Sequence, residues 1–356
     1  MHIPAAFAPP IPSVRTTCVR QHGKGSAGVV AEQIIALAGA NLASPIVLFF
    51  ALGLVAALVR SDLSVPEAFA KGLTIYLMLA IGFKGGVAVA RNGITPEFLV
   101  TAGAGILLGV LIPIIAHQVL TRTRMLDTVN AAAVAAHYGS VSIVTFVAGT
   151  SLLGLLGVAY DGYMIAVTAI METPAIVVGL WLANRGLKGE EKAAFSKDLM
   201  HEVMLNGSVV LLMGAFLIGF VSGEPGMQAV AAFVDAPFKG ILCLFMLDMG
   251  LLAGRRLASA RLLTPSLVAF GVIMPLLSAT LALVISLALG LSVGTGTLLM
   301  TLAASSSYIA VPAAMRIALP QANPAIYVTL SLAVTFPFNL SLGLPLYYFA
   351  ASRFLS

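Results

Sequence analysis

Charge is scarce in this sequence. Of its 356 residues 9% are charged and 60% hydrophobic, whereas soluble domains carry about a quarter charged residues, so an ordinary water-soluble globule is excluded. Cysteine is nearly absent: Cys18 stands in the leading segment and Cys243 far downstream, which argues against a disulfide framework or a cysteine-based metal site. A Gly-x-Gly-x-x-Gly turn after a strand, a Walker loop and a His-Glu-x-x-His helix are all missing. The serines have no neighbouring base in a hydrolase context, so no enzyme and no ATP-driven machine is predicted. Alternating strands of about ten residues, the mark of a membrane barrel, are missing too. The net charge of +5 does not point to nucleic acid, because the bases fall between apolar runs, where membrane topology accounts for them.

What is present is a succession of apolar runs. A hydrocarbon core roughly 30 Å thick takes about 20 helical residues to cross, and ten stretches qualify: 42–60, 66–90, 97–120, 127–158, 162–184, 200–222, 227–254, 264–290, 292–318 and 325–351. The reading is an all-α polytopic membrane protein. Residues 1–41 form a leader expected to be disordered, with Pro9, Pro10 and Pro12 and no apolar run of signal-peptide length. Residues 42–184 are a first five-helix repeat, 185–199 a loop and 200–351 a second repeat. Loops after odd-numbered spans hold Arg60, Arg122, Arg124, Arg185, Lys188, Lys192, Lys197, Arg255, Arg256, Arg261 and Arg316. By the positive-inside rule those loops are cytoplasmic, which places both termini on the periplasmic side of a bacterial inner membrane.

The two halves echo each other at a nearly constant offset. Gly86 matches Gly250 and Arg91 matches Arg255 after 164 positions, Lys84 pairs with Asp248, Pro113 recurs as Pro275, Pro174 as Pro337 and Gly179 as Gly343. Five spans separate the copies, an odd number, so the second half enters the membrane upside down. A 5+5 inverted-topology repeat is the arrangement of many secondary transporters. Such repeats bind solute where helices break near the midplane. The fourth span would be about 46 Å long if continuous, too long for the bilayer without strong tilt, and its middle reads Ala136-His137-Tyr138-Gly139-Ser140-Val141-Ser142. Its counterpart in the ninth span reads Ala303-Ala304-Ser305-Ser306-Ser307-Tyr308, with Pro312 following. Broken helices of this kind offer hydroxyls and dipole ends to an anion and carbonyls to a cation; alternatively, the small residues only pack helices closely.

Ionisable residues inside spans are costly and mark function or snorkel to an interface. Glu172, Asp248, Lys84, His137 and Arg316 are the candidates. Hard cations take oxygen, so Glu172, Ser307 and Asp248 are the candidate sodium ligands. Gly139, Ser140, Ser142, Ser305, Ser306 and Ser307 are the candidate anion site, with Gly85 and Gly86 allowing close approach. Lys84 and Asp248 also read as interfacial snorkelling residues, and His137 as a structural imidazole.

Five motifs in order resemble the SbtA-type sodium-dependent bicarbonate transporters over about 42–351: Ile81-Gly82-Phe83-Lys84-Gly85-Gly86-Val87-Ala88, Gly139-Ser140-Val141-Ser142, Met171-Glu172-Thr173-Pro174-Ala175, Ala303-Ala304-Ser305-Ser306-Ser307 and Pro320-Gln321-Ala322-Asn323-Pro324. The resemblance implies ten helices divided into gate and core, sodium-coupled bicarbonate uptake, a homotrimer, and regulation by a PII-like partner. It departs from the cyanobacterial members at Tyr308, where they carry Asp, and at Glu172, where they carry Asp. A transporter of another small organic anion on the same fold, or a passive anion channel, are the alternatives.

Overall fold

A computed structural model describes residues 26–93, 95–187, 207–258 and 263–355. Cys18, the charged stretch from Lys188 to His201, and Arg261 lie outside the described residues. Among those described, no strand occurs. The helices are α1 Ser26–Leu42, α2 Pro45–Leu58, α3 Glu67–Asn92, α4 Pro96–Arg122, α5 Thr128–Gly139, α6 Ile143–Leu156, α7 Met164–Asn184, α8 Gly207–Val234, α9 Phe238–Ala258, α10 Pro265–Leu289, α11 Val293–Ala304 and α12 Ala310–Ala318. A last helix, α13, covers Pro324–Phe354.

Several helices start from one local device. Ser44, Thr95, Thr264 and Asn323 each accept a backbone N–H of the first turn, and each is followed by a proline at the first helical position. The side chain satisfies an orphan donor, and the proline supplies a preset φ where its missing N–H costs nothing.

Two expectations are corrected, and a third is met in part. The leader was expected to be disordered through residue 41, yet 26–42 are helical and the Asn41 amide donates to the Leu340 carbonyl at 2.7 Å. The apolar run Ile34-Ile35-Ala36-Leu37 makes helix even though it is too short to span. The seventh span, expected over 227–254, is not one helix. Asp235, Ala236 and Pro237 form a turn inside it, and Pro237 has no N–H with which to continue the preceding helix. Lastly, the expected count of about ten spans is met only in part: among the described residues seven stretches, one of them α5 and α6 taken together, are long and apolar enough to cross a membrane, or eight if the pair 35–42 and 45–58, bent by 69°, counts as one. Helix α9 falls short because Lys239, Asp248, Arg255 and Arg256 dilute it. The ninth span, expected to break at its serines, is divided there into α11 and α12, of 12 and 9 residues.

Helix α8 is itself folded back. Gly223, at φ 56 and ψ −149, interrupts it. Leu211 and Val234, about 35 Å apart in a straight helix, line one apolar cavity with Leu79 and Phe83 of α3. The first arm packs near Gly82 and Gly86 through Leu212 and Phe216, and the second returns so that the Phe233 carbonyl accepts from Tyr76 Oη at 2.6 Å. Ion pairs fasten the hairpin to α3: Arg91 with Glu224, and Lys84 Nζ with Asp235 at 2.5 Å. Lys84, which also lies 4.6 Å over the Phe238 ring, is thus a partnered interhelical residue.

The tightest joints between two helix backbones come in a matched pair. A Cβ on Gly86 of α3 would sit 1.9 Å from the Phe216 carbonyl of α8, and one on Gly250 of α9 would sit 2.1 Å from the Phe50 carbonyl of α2. Reciprocally, a Cβ on Gly219 of α8 would lie 2.1 Å from the Phe83 carbonyl, and one on Gly53 of α2 would lie 2.1 Å from the Leu247 carbonyl. Only backbones without side chains approach this closely, the small-residue packing that drives association in lipid. The remaining helices gather into α4, α5 and α7 on one side and α10, α11 and α13 on the other.

Candidate functional site

Helices α5 and α11 are built to the same plan. Each has 12 residues. Asp127 caps the first by accepting from Val129 and Asn130, and Ser292 caps the second by accepting from Thr295. Each then gives way to an extended serine: Ser140 at φ −87, ψ 171, and Ser305 at φ −77, ψ 166. Chain resumes as helix at α6 and α12. The two breaks touch directly, since Ser142 N donates to Ser305 Oγ at 2.8 Å and Ser307 N donates to the His137 carbonyl at 2.9 Å. The structure therefore brings together two segments that are more than 160 residues apart in sequence.

The candidate serines then sort by what their oxygens already do. Ser305 accepts from Ser142 N and donates to the Leu302 carbonyl at 2.8 Å, so it is a latch between the breaks. Ser306 pairs with Ser331 at 2.7 Å. Ser140 Oγ is buried without a partner among the described residues and does not line the central cavity. Ser142 and Ser307 do line it, and their oxygens accept the first-turn N–H groups of Thr145 at 3.2 Å and Val311 at 3.5 Å. A hydroxyl that accepts from a helix N-terminus keeps its proton for a second partner. Two O–H donors and two positive helix ends therefore converge on one spot, a combination suited to a small anion.

Glu172, Tyr308 and Met78 complete that cavity. Its free volume, about 10 Å³ for the centre of a water molecule, holds roughly one water. Glu172 is 4% exposed and has no hydrogen-bond or ion-pair partner among the described residues. Pro174 lies two residues on within α7, and it lacks the N–H that would bond the Ile170 carbonyl.

Other sequence candidates fall elsewhere. Gly85 packs on Ile165, Gly86 on the α8 backbone and Gly139 on Pro113, so all three serve close packing. Asp248 sits half-buried on α9 and does not line the cavity. His137 bonds the Ala133 carbonyl through Nδ1 at 2.7 Å, and its ring lies 4.4 Å from that of Tyr327. Arg316 is exposed at the end of α12.

The sequence reading missed the support behind the second break. On α13, Ser331 holds Ser306, Thr335 meets Tyr138 Oη at 2.5 Å, and Asn339 Nδ2 donates to the Ala304 carbonyl at 2.8 Å. Asn339 Oδ1 in turn accepts from Tyr347 Oη at 2.7 Å. Two π-helical stretches, Leu330–Thr335 and Asn339–Gly343, lie in this part of α13, a widening that recurs at functional sites. Polar residues spaced by four in an apolar span were the available signal.

Crossed broken helices around a donor-lined cavity within a polytopic helical protein are a transporter arrangement. The chain belongs to the Na+-dependent bicarbonate transporter superfamily, whose family model matches residues 45–352. A search among individual curated proteins gives no match.

If Ser142 and Ser307 share one bound solute, Ser142→Ala and Ser307→Ala should each raise the half-saturating solute concentration several-fold. The double variant should lose less than the product of the two, because groups on one ligand couple. Independent, multiplicative losses in an uptake assay would separate the two hydroxyls.

Proposed function

We propose that the protein is a secondary transporter that takes up bicarbonate together with sodium across a bacterial inner membrane. One observation carries this reading: Ser142 and Ser307, each at the start of a half-helix, and the unpartnered Glu172 face the same small cavity. The donors suit the anion. An ionised carboxylate beside it would repel it by about 3 kcal/mol at 5 Å and an effective dielectric near 20, so the anion enters favourably only with a cation. Sodium, held by Glu172 and Ser307 oxygens, supplies that charge in the proposal.

The reciprocal joints Gly86–Phe216 with Gly250–Phe50, and Gly219–Phe83 with Gly53–Leu247, support a 5+5 inverted repeat. In this reading α2, α3, α8 and α9 form one moving unit and the helices around the breaks the other. The excess of Lys and Arg in the loops after odd-numbered spans supports periplasmic termini in the same reading.

Purified protein in liposomes should accumulate labelled bicarbonate when an inward sodium gradient is imposed and lose that accumulation when sodium is equal on both sides. Rapid equilibration indifferent to sodium would identify a passive channel and overturn the proposal.

A further inference from the structure

Tyr308 carries a buried phenol whose oxygen has no hydrogen-bond partner among the described residues. Native proteins leave few such groups unpaired, and each one calls for a missing partner. Tyr308 lines the central cavity with Ser142, Ser307 and Glu172, and its hydroxyl lies beside Ser142. The ring is held in place. Phe336 packs on it edge to face at 5.4 Å, and Phe50 of α2 packs on Phe336 in the same manner at 5.3 Å.

Resting on the bicarbonate reading above, we propose that Tyr308 determines the specificity of this site. Its O–H is the third donor to the bound oxyanion, and its ring forms part of the wall of a cavity too small for longer carboxylates. A phenol is well suited to this because it stays protonated at neutral pH. It donates without adding charge, and the balance between anion, cation and Glu172 is undisturbed. The aromatic contacts through Phe336 to Phe50 hold the ring in that wall. Enlarging the site therefore requires removing the ring.

Tyr308→Phe and Tyr308→Ala, reconstituted in liposomes beside the parent protein, test both parts. Phe keeps the packing on Phe336 and removes only the donor. The half-saturating bicarbonate concentration should rise about tenfold or more, as expected for a lost hydrogen bond to a charged ligand, with maximal velocity within about twofold. Tyr308→Ala should let propionate, inert against the parent, compete with bicarbonate. If the parent transports bicarbonate and the Phe variant keeps its half-saturation, or the Ala variant still ignores propionate, the role of Tyr308 is overturned and the bicarbonate reading stands. If the parent takes up no bicarbonate, both fall together.

Discussion

Glu172→Gln should abolish sodium-driven accumulation while leaving the protein folded. The carboxylate is 4% exposed, sits in the cavity with Ser142, Ser307 and Tyr308, and has no basic partner among the described residues. With an anion in the same cavity, its charge has to be neutralised from outside the protein, because a repulsion of about 3 kcal/mol corresponds to roughly a hundredfold in affinity. In the proposed mechanism that penalty is what makes cation and anion bind together. Gln keeps the shape and removes the charge, so both the penalty and the reason for the cation vanish. Bicarbonate affinity should become independent of sodium, and the variant should only equilibrate the anion. Binding by calorimetry with and without sodium, followed by uptake under a sodium gradient, measures both halves. Sodium dependence that survives in the Gln variant would make Glu172 a structural acid and move the coupling ion elsewhere.

The breaks were legible because they are written in local chemistry. Asp127 and Ser292 mark helix starts, and serine-rich stretches poor in bulky side chains mark the ends; the structure places both where that pattern put them. Which serines face the cavity was not legible. All five have the same donor and acceptor capacity, and only the crossing of the two segments shows that Ser305 spends its oxygen on Ser142 N while Ser142 and Ser307 keep a proton free. The turn at Asp235–Pro237 was overlooked because the apolar residues on either side of it, Phe233 and Val234 before and Phe238 after, continue the hydropathy of one long run. Hydropathy reports the solvent and is silent about direction, so the fold-back at Gly223 also escaped it. Asp248 drew attention as an acid inside a span. Its polarity gave no means of telling a position on the α9 surface from one in the cavity.

The close joints offer the second large effect, since there the contact is backbone to backbone. Gly86→Val should prevent α3 and α8 from meeting, and Gly250→Val should do the same for α9 and α2. The first new atom alone would lie 1.9 Å from the Phe216 carbonyl and 2.6 Å from the Phe220 nitrogen in one case, and 2.1 Å from the Phe50 carbonyl and 2.8 Å from the Leu54 nitrogen in the other. No rotamer relieves a clash made by Cβ, so the helices have to separate. Overpacking typically costs about 1–3 kcal/mol where side chains give way, and here the rigid partner places the loss at or above that range. Gly103→Ala and Gly214→Ala are the matched controls: nothing lies within 4 Å of either added carbon, and alanine improves helix propensity by about 1 kcal/mol. Thermal unfolding in detergent should therefore show both valine variants falling by a similar amount, or failing to yield monodisperse protein, while the controls hold or gain. Equal losses at Gly86 and Gly250 follow only if the two joints are the same structure used twice. A tolerant Gly250 beside an intolerant Gly86 would break that equivalence and remove the strongest support for the inverted repeat.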